Sequence, residues 1–343
     1  MNKVRIGIIC PSEIAFRRFM PAVQLCDDVE YVGVASADQR EWFGENIEGD
    51  MAVIEQEHQK AMKFQETYGG EVFNSYKELL YSDKIDAVYL PLPPALHFKW
   101  AQKAIQQGKH IFLEKPSTTS YDDSLRIIKL AKKSNVAVHE NYMFTFHEQI
   151  STIKSLIKSG DLGDVRLYRI AFGFPKRANN DFRYNKALGG GALLDCGGYT
   201  LKLAYELLGE TAHICCSQLN YLETNEVDMY GSATMVNDDG LVAQLAFGMD
   251  NSYKCELEIW GSKGTLFTSR IMTAPAGFVP TAQIKRATEA YEIELPVDDT
   301  FKKSIEYFVR CVKDADTRLN SYSKILKQAE LVEQMKGESH GRD

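Results

Sequence analysis

Long apolar runs are missing from this chain of 343 residues. No stretch approaches the ~18 apolar residues that a membrane-spanning helix needs, so no membrane partner is expected. The start, Met1-Asn2-Lys3-Val4-Arg5-Ile6-Gly7-Ile8-Ile9, has too short an apolar run for a signal peptide and reads directly as a strand. Dense positive charge is missing as well. The formal net charge is −7 and no basic run occurs, which excludes a surface built to neutralise nucleic-acid phosphates. The seven cysteines are odd in number and show neither a CxxC pair nor Cys/His ligand spacing. They read as reduced thiols of a cytoplasmic protein, with no metal site. Internal repeats and low-complexity linkers are absent too.

What is there is the composition of an ordinary globular protein, 44% hydrophobic and 25% charged, with a length that suits two domains. Residues 1–139 alternate short β-branched strands with helices, the pattern of a dinucleotide-binding Rossmann domain. Strands are expected over 4–9, 29–35, 72–73, 85–90, 110–113 and 136–139. The intervening helices cover 14–25 (kinked or ended early at Pro21), 48–68, 75–80, 97–107 and 121–134. Residues 140–336 change texture. After a helix over 149–159 come longer alternating runs at 165–173, 213–222, 230–236, 242–249, 255–261, 265–268 and 291–295. These predict an α+β domain with a large, mostly antiparallel open sheet. Helices over 301–313 and 321–336 close it, and 337–343 form a polar tail.

A strand, a tight turn and a helix at the N-terminus is where a dinucleotide fold seats its pyrophosphate. Gly7, Cys10, Pro11, Ser12, Glu13 and Ile14 are the candidates here. Cys10 and Pro11 stand where glycines are usual; the side chain narrows the approach, and Pro11 removes a donor. Ser12 compensates as a helix cap and a hydroxyl for a phosphate oxygen. At the end of the second strand, Ser36 and Ala37 leave room for a ribose 2′-phosphate, and Arg40 can meet it. NADP(H) is therefore favoured, with NAD(H) as the alternative because Asp38 lies close by.

Three stretches then coincide: Pro91-Leu92-Pro93-Pro94-Ala95-Leu96-His97, Gly108-Lys109-His110-Ile111-Phe112-Leu113-Glu114-Lys115-Pro116, and Leu188-Gly189-Gly190-Gly191-Ala192-Leu193-Leu194-Asp195-Cys196-Gly197-Gly198-Tyr199. Over essentially its whole length the chain resembles the glucose-fructose oxidoreductase/inositol dehydrogenase (Gfo/Idh/MocA) family. Arg17-Arg18-Phe19-Met20-Pro21, Asp181-Phe182-Arg183-Tyr184 and Thr273-Ala274-Pro275-Ala276-Gly277-Phe278 look like its nucleotide-sugar 3-ketoreductases. Thr145 departs from the pattern, standing where many relatives carry an arginine.

The resemblance implies an NAD(P)-dependent oxidoreductase that moves a hydride between nicotinamide and a sugar or nucleotide-sugar carbonyl or hydroxyl. Tyr199 would donate or accept the proton, assisted by Lys115, with Asp195 in the catalytic group. A lysine ammonium favours the ionised phenol, whose ordinary pKa is about 10. Leu92, Pro93, His97, Glu114 and Lys115 would line the cofactor, and Lys115–Pro116 fits a cis bond. Arg18, Arg183, Asp195, Tyr199 and Thr273 would meet the substrate. A homodimer or homotetramer through the C-terminal sheet is also implied. The competing readings are an inositol- or dihydrodiol-type dehydrogenase, and a catalytically silent sugar- or cofactor-binding protein of the same fold.

Overall fold

The computed structural model describes residues 3–44, 49–223 and 225–338. Two compact units emerge. One takes Met1–Thr118, Asp122–Asn141 and Phe301–Leu326; the other takes Thr119–Tyr121, Tyr142–Thr300 and Lys327–Asp343. This departs from the expected boundaries, because the chain returns to the first unit at Phe301. Its side chains explain the return: Ser304 bonds to His139 and Asn141, Ser321 donates to the Val138 carbonyl, and Tyr322 and Ile325 enter the first core.

The first unit is a parallel sheet of β1 (Val4–Ile9), β2 (Val29–Ala35), β3 (Glu71–Phe73), β4 (Ala87–Leu90), β5 (His110–Leu113) and β6 (Val138–Glu140). The spatial order is β3-β2-β1-β4-β5-β6. Both faces are covered, so its central strands are almost wholly apolar and buried. The order reverses beside β1, and ligands of such sheets bind outside the carboxyl ends of the strands there. The segment after β1 is helical as expected, but Pro21 does not end it. A widened π-type turn at Ala15–Phe19 precedes Met20–Val23, where proline's missing N–H is accommodated. The helix expected from His97 starts earlier, at Pro94, because a proline at the first helical position is pre-shaped for it. The helix expected over 48–68 runs over Met51–Tyr68, capped by Asp50, and Glu48 lies outside the described residues.

The second unit has eight strands: β7 (Val165–Gly173), β8 (His213–Tyr221), β9 (Asp228–Val236), β10 (Val242–Gly248), β11 (Lys254–Gly261), β12 (Gly264–Ser269), β13 (Thr281–Arg286) and β14 (Ala290–Glu294). They lie in the order β14-β13-β12-β11-β7-β10-β9-β8, antiparallel except for the parallel pair β7–β10. Burial alternates along them, and the inner face packs on the helix Gly198–Leu208. β13 was not expected from the sequence, since only Ala282 and Ile284 of its six residues face the core. The last helix, Ala315–Glu338, takes in Gly337 and Glu338 of the expected tail; 339–343 lie outside the described residues. The fold is α/β, a Rossmann unit followed by an α+β unit. No helix among the described residues is long and apolar enough to cross a membrane. No group of three or more His, Cys, Asp or Glu among them could hold a metal ion.

Candidate active site

In the first unit the carboxyl ends of β1, β2, β4 and β5 carry the residues predicted to hold a dinucleotide. Cys10 follows β1 with φ +82°, the left-handed conformation that glycine adopts freely. Its N–H bonds to the Ala35 carbonyl at 3.1 Å, and its thiol packs against the core facing Tyr76. Burial pushes that thiol up to about 12. The side chain is thus turned inward rather than across the turn. Ser12 caps the helix, its Oγ accepting from Ala15 N at 3.2 Å, while Glu13 is drawn to Arg17 at 3.3 Å. At Gly7 a Cβ would meet the Leu79 and Ile85 side chains at 3.0 Å, so this glycine lets strand and helix pack closely.

At the end of β2, Ser36 and Ala37 are buried and Arg40 is exposed. Asp38 caps the helix Gln39–Phe43, its Oδ1 accepting from Glu41 N at 2.7 Å in a reciprocal capping box. The acidic group that would discourage a 2′-phosphate is therefore engaged in holding a helix. The residues fit an adenine dinucleotide with that phosphate: a glycine-like turn, a capped helix start, small residues at the β2 tip and a nearby arginine.

The Glu114-Lys115-Pro116 element follows β5, and its Lys115–Pro116 bond is cis. Glu114 Oε1 accepts from Tyr89 Oη at 2.8 Å and Asn141 Nδ2 at 2.7 Å. Burial pushes its carboxyl up, and those two donors pull it back. Asn141 Oδ1 in turn accepts from Ser304 Oγ at 2.8 Å. Ser304 has one proton to give, so His139 Nε2, 2.8 Å away, donates to it. This relay seats the element from beneath. His97 holds it from the side: Nδ1 lies 2.8 Å from the Pro116 carbonyl and Nε2 2.8 Å from that of Leu92. Burial favours the neutral ring, lowering its pKa to about 4 against the pull of those carbonyls. The one N–H of the neutral ring serves one of the two carbonyls, and His97 stands between the loop of Leu92 and Pro93 and the lysine-bearing turn.

In the second unit a widened π-type turn, Leu193–Gly197, leads into the helix Gly198–Leu208. Such turns recur at functional sites. Asp195 lies in that turn and Tyr199 one turn later. The Tyr199 ring is buried among Tyr142, Phe144 and Phe172, with centroids 5.3, 5.7 and 5.3 Å away. Its hydroxyl lies 3.9 Å from Met143 Sδ. Arg183, expected to meet an anionic or polyhydroxylated substrate, donates through Nε to Asp195 Oδ2 at 2.7 Å and through Nη1 to Asp181 Oδ1 at 3.1 Å. Burial would lower its pKa, yet the two carboxylates more than offset this and keep it charged. Its charge is matched inside the protein, and its effect is to fix the Asp195 carboxylate.

The glycine-rich segment is anchored by Asp228, which sequence reasoning missed. Asp228 Oδ2 accepts from Leu193 N at 2.7 Å, and burial pushes its carboxyl up to about 6. Asp228 is far along the chain, so no local signal could have found it; Asn141, directly after β6, offered a positional one. His147 caps the helix Glu148–Lys158, its Nδ1 accepting from Gln149 N at 3.1 Å. Thr145 donates to the Tyr142 carbonyl at 3.0 Å. Thr273 bonds within the protein to Tyr253 and Cys255. Arg18 is exposed on the first π-type turn.

Comparison with known proteins decides the family. Residues 5–142 match the oxidoreductase family with an NAD-binding Rossmann fold, and residues 150–267 match the GFO/IDH/MocA C-terminal domain. This chain belongs to the GFO/IDH/MocA oxidoreductase family. Among its relatives is dTDP-3,4-didehydro-2,6-dideoxy-alpha-D-glucose 3-reductase of Actinomadura kijaniata, 33% identical over 97% of this chain and 94% of that protein. A D-xylose 1-dehydrogenase (NADP(+)) of Haloferax volcanii is 28% identical over 91% and 90%. The crystal structure of a 3-ketoreductase from Actinomadura kijaniata, in complex with NADP and TDP-benzene, superposes with a TM-score of 0.89. That match is at 33% identity and covers 98% of each chain. As a member of this family the protein is an enzyme, an oxidoreductase.

Proposed function

We propose that this enzyme uses NADPH to reduce the 3-keto group of a nucleotide-linked sugar, with Tyr199 as proton donor assisted by Lys115. The observation that carries the reading is the setting of Tyr199, a buried phenol boxed by three aromatic rings one turn after a carboxylate pinned by Arg183. The reductases similar to this chain act on dTDP-sugars. Solved structures of one include a lysine-to-alanine and a tyrosine-to-phenylalanine variant, whose altered positions stand 84 residues apart, as Lys115 and Tyr199 do here.

The cofactor is held by the Cys10-Pro11-Ser12 turn and the helix start at Glu13 and Ile14, by Ser36, Ala37 and Arg40 around the 2′-phosphate, and by Leu92, Pro93, His97 and Glu114. When bound, the nicotinamide supplies the hydride that adds to the carbonyl carbon. Tyr199 Oη gives its proton to the carbonyl oxygen, which leaves as the alcohol. The positive charge of Lys115 stabilises the tyrosinate that remains. Asp195, held ready by Arg183, accepts a hydrogen bond from a sugar hydroxyl. Arg18 is the exposed cation offered to the substrate. The enzyme assembles as a homodimer or homotetramer through its second sheet, whose outer face exposes Tyr230, Trp260 and Phe267; a monomer in sedimentation would refute that.

Tyr199→Phe tests the chemistry. Removing one hydroxyl should cut turnover by ~10²–10⁴ while NADPH binding, read by calorimetry, stays as in the wild type. Wild-type turnover would mean that another group gives the proton. Failure of the wild-type protein to bind either NADPH or NADH would instead favour a silent binding protein.

A further inference from the structure

The loop that joins β12 to β13 carries a cluster that the chemistry above leaves unused. Arg270 has φ +53°, in the left-handed region that side-chain-bearing residues avoid. Conformations of this kind persist where the surrounding structure holds them, and they concentrate at ligand clamps. The Arg270 guanidinium lies 5.5 Å from the Tyr253 ring centre and 5.6 Å from that of Phe278. It has no ion-pair partner among the described residues. Contact through two ring faces uses none of its five N–H donors. The result is an exposed guanidinium, steadied by aromatics, whose hydrogen-bonding edge remains open.

The Tyr253 ring is itself fixed. Thr273 Oγ1 donates to Cys255 Sγ at 3.3 Å, so the Tyr253 hydroxyl, 2.8 Å away, donates to Thr273. Met272 N also bonds to that sulfur at 3.3 Å. Thr273, expected at the substrate, sets the position of Tyr253. The cluster also has a defined place relative to Tyr199. Cys255 of β11 stands opposite Phe172 of β7, and facing residues of paired strands project to the same side. Phe172 is the ring packed against Tyr199. One strand spacing, about 4.8 Å, therefore separates the anchor of the Arg270 cluster from the wall of the tyrosine box.

We propose that Arg270, held by Tyr253 and Phe278, is the diphosphate subsite of the substrate site. Its N–H edge takes two phosphate oxygens in a bidentate pair, the geometry for which a guanidinium is suited. This rests on the reading that the substrate is nucleotide-linked.

The test is calorimetric titration of the NADPH-loaded enzyme with thymidine diphosphate. Arg270→Gly is the informative variant, because glycine accepts the backbone conformation and the fold is not at risk. It should weaken diphosphate binding ~10- to 100-fold, the scale of lost hydrogen bonds to a charged group, and leave NADPH binding unchanged. On the sugar nucleotide it should raise KM and spare kcat. Tyr253→Phe, which frees the ring from Thr273, should weaken binding by less. Equal affinity in wild type and Arg270→Gly overturns the subsite while the nucleotide-sugar reading stands. No diphosphate binding by the wild type, with turnover of a free keto-sugar, overturns both.

Discussion

The turn after β1 and the segment before Tyr199 both place glycine-like demands on the backbone, and they meet them differently. After β1 the demand is one of dihedral angle alone. Cys10 adopts φ +82° and directs its thiol into the core, so a side chain is tolerated at an energetic cost. Before Tyr199 the demand is for space. A Cβ on Gly190 would lie 2.3 Å from the Arg183 carbonyl oxygen, and one on Gly191, itself at φ +122°, 2.3 Å from Asp228 Oδ1. Glycines of the first kind can be replaced over time without loss of the turn. Glycines of the second kind cannot, because the chain that carries Asp195 is threaded between Arg183 and Asp228. A damaged fingerprint at a dinucleotide turn is thus weaker evidence of lost function than a damaged glycine-rich segment would be.

The largest effect should come from forcing a side chain into the second segment. Gly190→Ala puts a methyl against backbone atoms of Arg183, which cannot swing aside as a flexible side chain would. We expect a loss of about 3 kcal/mol in unfolding free energy, the upper end of ordinary overpacking. Turnover should fall about 100-fold, since Arg183 positions Asp195 and ångström-scale misplacement has that cost. Denaturant unfolding and steady-state kinetics measure the two. A variant with wild-type stability and rate would show that the segment yields, and the contrast with Cys10 would collapse.

Much of this was legible in the sequence, for reasons that differ by region. Strands buried on both faces, such as His110–Leu113, and evenly alternating ones, such as Val165–Gly173, announce themselves by composition and by period. Thr281–Arg286 is an outlying strand with two inward apolar residues, too few for a pattern. The residues of the candidate site were found by motif, but what each does depended on contacts that motifs do not record. The motif around Arg183 does not record its pairing with Asp195, twelve positions later. Asp38 looked like evidence for NAD(H) until its carboxylate was found capping a helix. The return of 301–326 to the first unit was hidden too, since a helix shows which face it buries, not where.

The two units also differ in how they answer to pH, with effects on the order of 3 kcal/mol per group if each shift is expressed in full. In the first unit His97 and His110 are buried, each lowered from 6.5 to about 4. As pH falls from 6.5 toward 4, the unfolded chain takes up protons that these rings refuse, and stability declines. His110 has a structural reason beyond burial, since its Nδ1 accepts from Ala137 N at 2.9 Å. In the second unit Asp228 is raised from 3.8 to about 6. Its contribution is full below 3.8 and is lost as pH rises through 6. Two rings outweigh one carboxyl, so wild-type stability should still rise with pH between 4 and 6.5, at about half the slope that the rings alone would give. Asp228→Asn removes the falling contribution and should leave stability rising at the full slope of the rings across that window. If denaturant unfolding of Asp228→Asn keeps the wild-type slope, that carboxyl is not the titrating group.

The smallest effect is expected where the sequence looked most damaged. Cys10→Gly relieves a left-handed residue, worth roughly 1–2 kcal/mol. Against that stand about 0.5–1 kcal/mol of added unfolded-state freedom and the lost burial of a thiol. The net change in unfolding free energy should lie within about 1 kcal/mol of zero. The sharper reading is in the cofactor. If the Cys10 side chain narrowed the approach to the pyrophosphate, glycine would tighten NADPH by tenfold or more. Because the thiol faces Tyr76 and the core, we expect the dissociation constant to move by less than about threefold, or under 1 kcal/mol. Calorimetry on the two proteins decides between these. A large gain would put the side chain in the ligand's path. A small one would mean that a dinucleotide turn needs a glycine-like angle there, and not glycine itself.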